Sequence, residues 1–87
     1  SSDAERCRAG GGNPDVVIKH CTAAIGSGEF SGEALARLYE VRSGEWAGKE
    51  DYDRAISDAS AALKLAPNMA QAHFQRGTAW ANKGDFE

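Results

Sequence analysis

The chain repeats part of itself at a spacing of 34 residues. When residues 41–53 are aligned with residues 75–87, five of the thirteen positions are identical. Internal similarity at a fixed period of about 20–50 residues is typical of folds built by stacking copies of one small unit. An 87-residue chain has room for fewer than three such units. The identical pairs are Arg42/Arg76, Trp46/Trp80, Ala47/Ala81, Lys49/Lys83 and Asp51/Asp85.

Helix signals cover most of the chain, and no segment alternates apolar and polar residues for long enough to predict a strand. A first helix is predicted after Asn13-Pro14-Asp15, which supplies an N-cap, a first-turn proline and a first-turn acid. Because the connections are short, successive helices must be antiparallel neighbours. The sequence therefore predicts an all-α fold, an antiparallel array of helix-turn-helix units. Three further helices are predicted, from Ser31 to about Gly48, from Asp51 to Pro67, and from Asn68 to about Lys83 with Gly84 as its breaker.

In its period and in several key residues the chain resembles the tetratricopeptide repeat (TPR) family, whose two-helix units recur about every 34 residues. Ser43 and Gly77 stand where paired helices of that family nearly touch, and close approach to about 8–10 Å requires short side chains. Arg42 and Arg76 depart from the pattern, which usually has an aliphatic residue there, and His73 replaces a large apolar one. The other matches are Trp46, Trp80, Tyr52, Phe86, Ala55, Ala59, Ala62 and Pro67.

The resemblance divides the chain into two parts. Residues 1–13 are predicted to be an N-terminal segment with a degenerate first helix. Residues 14–87 are predicted to be a TPR domain: the second helix of repeat one, a full repeat two at about 36–69, and the first helix of repeat three at about 70–84. An earlier partial copy supports this division, because residues 17–25 match residues 55–63 at an offset of 38. The implied fold is a fragment of an α–α superhelix, a TPR-like solenoid.

The last predicted helix has no following helix to cover it, so part of its apolar surface is expected to lie bare. Three interpretations remain open: the native protein continues beyond Glu87, two copies cover each other's last helix as a symmetric dimer, or the last helix acts as a cap. The dimer interpretation predicts an oligomer face formed by Ala72, Ala79, Trp80 and Phe86.

The composition argues against several classes of function. The net charge is −3 and basic residues are interspersed with acidic ones, so no basic stripe is available for nucleic acid. Apolar runs are far shorter than the roughly 20 residues that span a bilayer, so membrane insertion is not expected. No nucleophile elbow, phosphate loop or zinc-protease motif occurs, so we expect no enzyme, no catalytic residues and no cofactor. His20 beside Cys21, with Cys7, offers too few ligands for a structural zinc, so no metal is expected.

The chain has two cysteines, Cys7 and Cys21, separated by the flexible Gly10-Gly11-Gly12. Two interpretations remain open: free thiols in a cytoplasmic protein, or a disulfide that closes a loop of roughly 15 residues. The cysteines before and after Asn13-Pro14 resemble the mature start of small exported bacterial TPR proteins, which favours the disulfide. That resemblance implies a periplasmic or secreted protein, with a cytoplasmic location as the alternative.

The resemblance also implies a function, because first helices of successive TPR units line a concave groove that binds peptides or protein segments. We therefore expect a non-enzymatic protein–protein interaction scaffold. The alternative is a self-assembling structural module that forms a homodimer through its unpaired C-terminal helix. The groove residues carried over from the family are Arg37, Glu40, Val41, Gly44, Ala47, Gly48, Gln71, Phe74, Gln75, Thr78, Ala81 and Asn82.

Two features of this groove follow from its residue types. Gly44, Ala47 and Gly48 lie on one face of the helix and have no side chain or a very short one, so another backbone could approach closely there. The same glycines are equally consistent with a helix that frays before Gly48. The positions at which chaperone-binding TPR proteins grip a C-terminal carboxylate hold no basic residue here, which argues against that ligand. A short apolar or polar segment is the expected partner.

Overall fold

Five α-helices follow one another in a computed structural model that describes residues 2–84. No strand occurs within this range. Each helix packs against the next along the chain, and the central helix also contacts the first and the last. The predicted all-α, helical-repeat-like fold is confirmed. The helices are α1 (Ser2–Ala9), α2 (Pro14–Gly26), α3 (Gly32–Gly48), α4 (Tyr52–Leu65) and α5 (Ala70–Lys83).

Side chains cap two of the helices where the sequence predicts it. The Asn13 side chain accepts a hydrogen bond of 2.8 Å from the backbone N–H of Asp15 at the start of α2. Asp51 accepts one of 3.2 Å from the N–H of Arg54 at the start of α4. A further hydrogen bond from the Arg54 guanidinium, 2.7 Å long, contributes most to lowering the pKa of the Asp51 carboxyl. Both caps position helices whose inner faces form the core.

The start of α5 differs from the prediction. Asn68 does not cap this helix; Met69 holds the N-cap position and makes no side-chain capping bond. The reason is a tight turn after α4, in which the backbone N–H of Met69 bonds to the carbonyl of Ala66 at 3.1 Å. His73, which replaces a large apolar residue of the family pattern, is exposed, and its Nε2 lies 2.8 Å from the Pro67 carbonyl oxygen. Gly84 ends α5 in the left-handed region, at φ 76°, as expected of a glycine.

The N-terminal segment folds back on the rest of the protein as a regular helix. The glycines after α1 all have positive φ values, 59°, 78° and 73°, which a side chain disfavours. This turn lays α1 against α2 and α3, where Ala4 and Cys7 are fully buried. The sulfur atoms of Cys7 and Cys21 lie 2.01 Å apart and their Cα atoms 4.7 Å apart, so a disulfide joins α1 to α2.

Small side chains dominate the core, which consists of two clusters. Leu38 is the largest fully buried side chain, and most other buried apolar residues are alanines. Short side chains let the helices pack closely, as expected for paired helices. The first cluster joins α1, α2 and α3 through Ala4, Cys7, Val17, Cys21, Ala24 and Leu38; the second joins α3, α4 and α5 through Ala36, Ala62, Leu63, Ala66 and Ala72.

Candidate functional site

The predicted groove corresponds to the junction of α3 with α5, and a polar contact holds its two sides together. The Gln75 side chain on α5 donates a hydrogen bond of 2.8 Å from Nε2 to Oε2 of Glu40 on α3. The other carboxylate oxygen of Glu40 lies 3.3 Å from Nε of Arg37. Glu40 is only 6% exposed, so its carboxylate forms the floor of this junction rather than its rim.

Gly44 lies directly beside this contact. A Cβ atom at position 44 would stand 3.0 Å from Nε2 of Gln75, closer than side chains normally tolerate. The absence of a side chain therefore lets the Gln75 amide lie against α3. Within residues 2–84 the buried Oε1 atom of Gln75 has no hydrogen-bond donor, and leaving such an acceptor unpaired costs about 1–3 kcal/mol.

The other predicted groove residues differ in exposure. Phe74 is 67% exposed, the highest value among the large exposed apolar side chains of the described part of the chain. Val41 packs against the first core cluster, because its side of α3 faces the disulfide-linked helices. A surface cavity of about 480 Å³ adjoins Arg37 at the end of the junction. Ala47 is half-buried, whereas Gly48, Gln71, Thr78, Ala81 and Asn82 are exposed.

Two glycine substitutions test how tightly the junction closes. Gly77→Ala, in the interior of α5, is expected to raise the free energy of unfolding by about 0.5–1 kcal/mol, since the new Cβ meets open space. Gly44→Ala should gain the same helix propensity but lose about 1 kcal/mol by displacing the Gln75 amide from Glu40. Urea unfolding of both variants measures the difference. Equal stabilisation by the two would mean that Gln75 is not held against Gly44.

A second polar contact joins three helices and was not predicted. The Arg42 guanidinium binds both carboxylate oxygens of Asp58, with Nε–Oδ2 and Nη2–Oδ1 distances of 2.7 and 2.8 Å. Its Nη1 donates to Oγ1 of Thr22 at 3.1 Å, so α3 is tied to both α2 and α4. The hydrogen bond to Asp58 is the main cause that raises the pKa of Arg42. In the sequence, Arg42 stands out as a repeated residue and as a departure from the family pattern, but its partner was not predicted. The available signal was Asp58, a charged residue among the small apolar positions of α4.

Several contacts of the first two helix pairs recur one unit later. Arg76 donates to Oγ of Ser60 at 3.4 Å, as Arg42 does to Thr22. The shift is 34 positions for the arginines and 38 for the hydroxyl residues, which are the two offsets of the sequence alignment. The same shifts relate the ion pair of Lys49 with Asp15 to that of Lys83 with Asp53, and the stacking of Lys49 on Trp46 to that of Lys83 on Trp80.

The predicted oligomer face is not continuous. Ala72 and Ala79 are fully buried inside the protein, so they were wrongly assigned to an exposed face. Ala72 belongs to the second core cluster, and Ala79, seven positions later, lies on the same side of α5. Trp80 is 41% exposed, and Phe86 lies outside the described residues.

Two further findings concern metals and membranes. Within residues 2–84, no group of three or more His, Cys, Asp or Glu residues is placed to hold a metal ion. His20 lies instead against α1, with Nδ1 2.8 Å from Oδ1 of Asp3. No helix in the same range has both the length and the apolar character needed to cross a bilayer.

The described residues define an all-α protein of helical-repeat-like architecture, with a polar junction between its alternate helices. Comparison of the chain with protein-family models, with curated proteins and with solved structures found no match.

Proposed function

We propose that this protein is a non-enzymatic interaction module that binds a peptide or protein segment along the junction of α3 with α5. The observation that carries the proposal is the exposed Phe74 next to Gln75. A phenyl ring left 67% exposed on α5, one residue before the Gln75 that closes the junction, offers a ready anchor for an apolar side chain. At Gly48, where an added Cβ would meet open space, the groove leaves room for a backbone to approach, which is what an extended ligand requires.

The charges of the junction indicate the chemistry of the ligand. Both oxygens of the buried Glu40 carboxylate are already paired, with Gln75 and Arg37, and the Oε1 atom of Gln75 is buried, so the floor of the junction presents a negative charge to the segment rather than a free hydrogen-bond acceptor. Arg37 is the one basic groove residue, and it already faces Glu40 at 3.3 Å. A segment with a free carboxylate is therefore disfavoured. For a single small surface of this kind we expect a micromolar dissociation constant, which corresponds to a binding free energy of about −8 kcal/mol.

The finer assignment of the chain to the TPR family belongs to the same proposal. It is supported by the 34-residue sequence period and by contacts that recur with the two offsets of the alignment. The proposal also places the protein in an oxidising compartment, the bacterial periplasm or the exterior, where a disulfide such as Cys7–Cys21 persists.

The test uses peptides selected from a displayed library of random dodecapeptides, with the purified protein as bait. Isothermal titration of a selected peptide should show at least tenfold weaker binding to Phe74→Ala and to Gly44→Arg than to the unmodified protein. Two control variants change the same residue types elsewhere: Val16→Ala removes another exposed apolar side chain, and Gly26→Arg adds an arginine where space is open. Selected peptides that bind all variants equally would contradict the groove assignment.

Self-assembly through α5 is the second candidate, and the exposure of Trp80 favours it. It predicts a dimer in light scattering that dissociates in Trp80→Ser but not in Phe74→Ala. The groove proposal predicts that peptide binding is weakened in Phe74→Ala but not in Trp80→Ser, so the same pair of variants distinguishes the two functions.

A further inference from the structure

Helix α4 makes three contacts with α3, and these contacts show how one face of α3 binds a neighbouring helix. Asp58 binds Arg42, as described above. The guanidinium carbon of Arg54 lies 5.1 Å from the centre of the Trp46 ring. The Ser43 hydroxyl donates a buried hydrogen bond of 2.7 Å to the carbonyl of Ala55. On α4 an acid pairs with an arginine of α3, a base stacks on a tryptophan of α3, and a small residue packs against a small residue of α3.

Helix α5 carries the equivalents, 34 positions later, of the α3 residues that contact α4. Within residues 2–84 no following helix packs against them. Arg76 and Trp80 correspond to Arg42 and Trp46, and Gly77 corresponds to Ser43. Ser43 is fully buried, whereas Gly77 is exposed. Ala36 is fully buried against α4 and α5, whereas its equivalent Ala70 is exposed.

These residues form a continuous strip, which we call the α5 outer face. Its members advance by three, four and three positions, so they share one side of the helix. Arg76 lies at the edge of the strip, between it and the buried side that packs on α4. The strip consists of Ala70, His73, Gly77 and Trp80, all of them exposed.

Arg76 indicates the chemistry of a helix that would pack on the α5 outer face. Arg42 is shared between a hydroxyl on the preceding helix and a carboxylate on the following one. Arg76 has the hydroxyl of Ser60 but no carboxylate partner among residues 2–84. A helix packed beside Arg76 should therefore carry an acidic residue, because the planar set of N–H donors on a guanidinium pairs best with a carboxylate.

We propose that the α5 outer face binds an amphipathic helix of a partner chain that presents a carboxylate to Arg76. The helix is of the α4 type: small residues on its inner side, at the spacing of Ala55, Ala59 and Ala62, and an acid at the place of Asp58. Small residues are required because Gly77 and Ala70 allow close approach, and a base one turn before the acid would stack on Trp80 as Arg54 does on Trp46. This surface is distinct from the groove, so the inference goes beyond the proposed function and does not depend on it.

The probe is a synthetic peptide with the sequence of residues 51–66, acetylated and amidated, because α3 already receives this sequence within the chain. Titration of the purified protein with the fluorescently labelled peptide should show saturable binding, with a dissociation constant on the order of 0.1 mM for a peptide that must fold as it binds. Arg76→Gln in the protein should weaken binding about tenfold. A peptide with Asn in place of the acid corresponding to Asp58 should bind equally weakly, and the two changes together should cost no more than either one.

Arg8→Gln is the matched control, because it removes one exposed arginine from α1, far along the chain from α5. It should leave peptide binding unchanged. Amide chemical shifts should move at Ala70, His73 and Gly77 on addition of peptide. Three results would each overturn the proposal: no saturation at millimolar peptide, equal affinity for Arg76→Gln, or shifts confined to α3 and α4, which would indicate displacement of the protein's own helix. Concentration-dependent dimerisation that blocks the peptide would overturn it too, by showing a second copy on this face.

Discussion

Reduction of the Cys7–Cys21 disulfide is expected to lower the free energy of unfolding by about 3 kcal/mol. The two cysteines are 14 positions apart, so the bond closes a 15-residue loop, and the chain-entropy model assigns about that value to such a loop. The effect is large for this protein, because small domains bury a modest fraction of their surface and have total stabilities of about 5–15 kcal/mol.

The loss should concentrate in α1. This helix has eight residues, and isolated helices shorter than about 12–15 residues are marginal in water. Guanidinium unfolding followed by circular dichroism, with and without a phosphine reductant, measures the effect. Cys7→Ala/Cys21→Ala is the control, since its unfolding midpoint should not respond to reductant. A midpoint of the unmodified protein that is equally insensitive would show that the cysteines are not bonded in solution.

Asp58→Ala should destabilise the protein by about 3 kcal/mol, the second large effect. The side chains of Arg42 and Asp58 are 19% and 8% exposed, so the variant leaves a mostly buried guanidinium that keeps the Thr22 hydroxyl and the Tyr39 ring as neighbours but has lost its carboxylate. Removing one member of a buried ion pair typically costs about 3–5 kcal/mol, and the partial exposure of Arg42 places this case at the lower end. Thermal or urea unfolding gives the value.

A matched control lies in the same helix. Asp53 also pairs with a basic residue, Lys83 at 2.9 Å, but its side chain is 78% exposed, so Asp53→Ala should cost less than about 1 kcal/mol. Replacing both buried partners, as in Arg42→Met/Asp58→Leu, should recover most of the lost stability because no charge is left unpaired. Equal costs for Asp53→Ala and Asp58→Ala would contradict the importance assigned to the buried pair.

Local features of the sequence predicted the secondary structure well. Asn13 and Asp51 mark helix starts because their side chains bond to backbone N–H groups two or three residues away, and this chemistry needs no tertiary context. Gly84 marks a helix end for an equally local reason. The prediction at Asn68 was wrong because the turn after α4 binds the backbone of Met69 and shifts the start of α5.

The sequence by itself determined where the helices lie, that they form an antiparallel array, and that part of this array recurs after 34 residues. Only the tertiary structure decided which side chains meet. Arg42 and Asp58 are 16 positions apart, and Glu40 and Gln75 are 35 apart. A small rotation of a helix about its axis would replace either pair with a neighbour. The same rotation decided that Ala72 and Ala79 are buried while Gly77 and Trp80 face outward. A periodic pattern gives the width of a packed face, but the packing of all the helices together sets its direction.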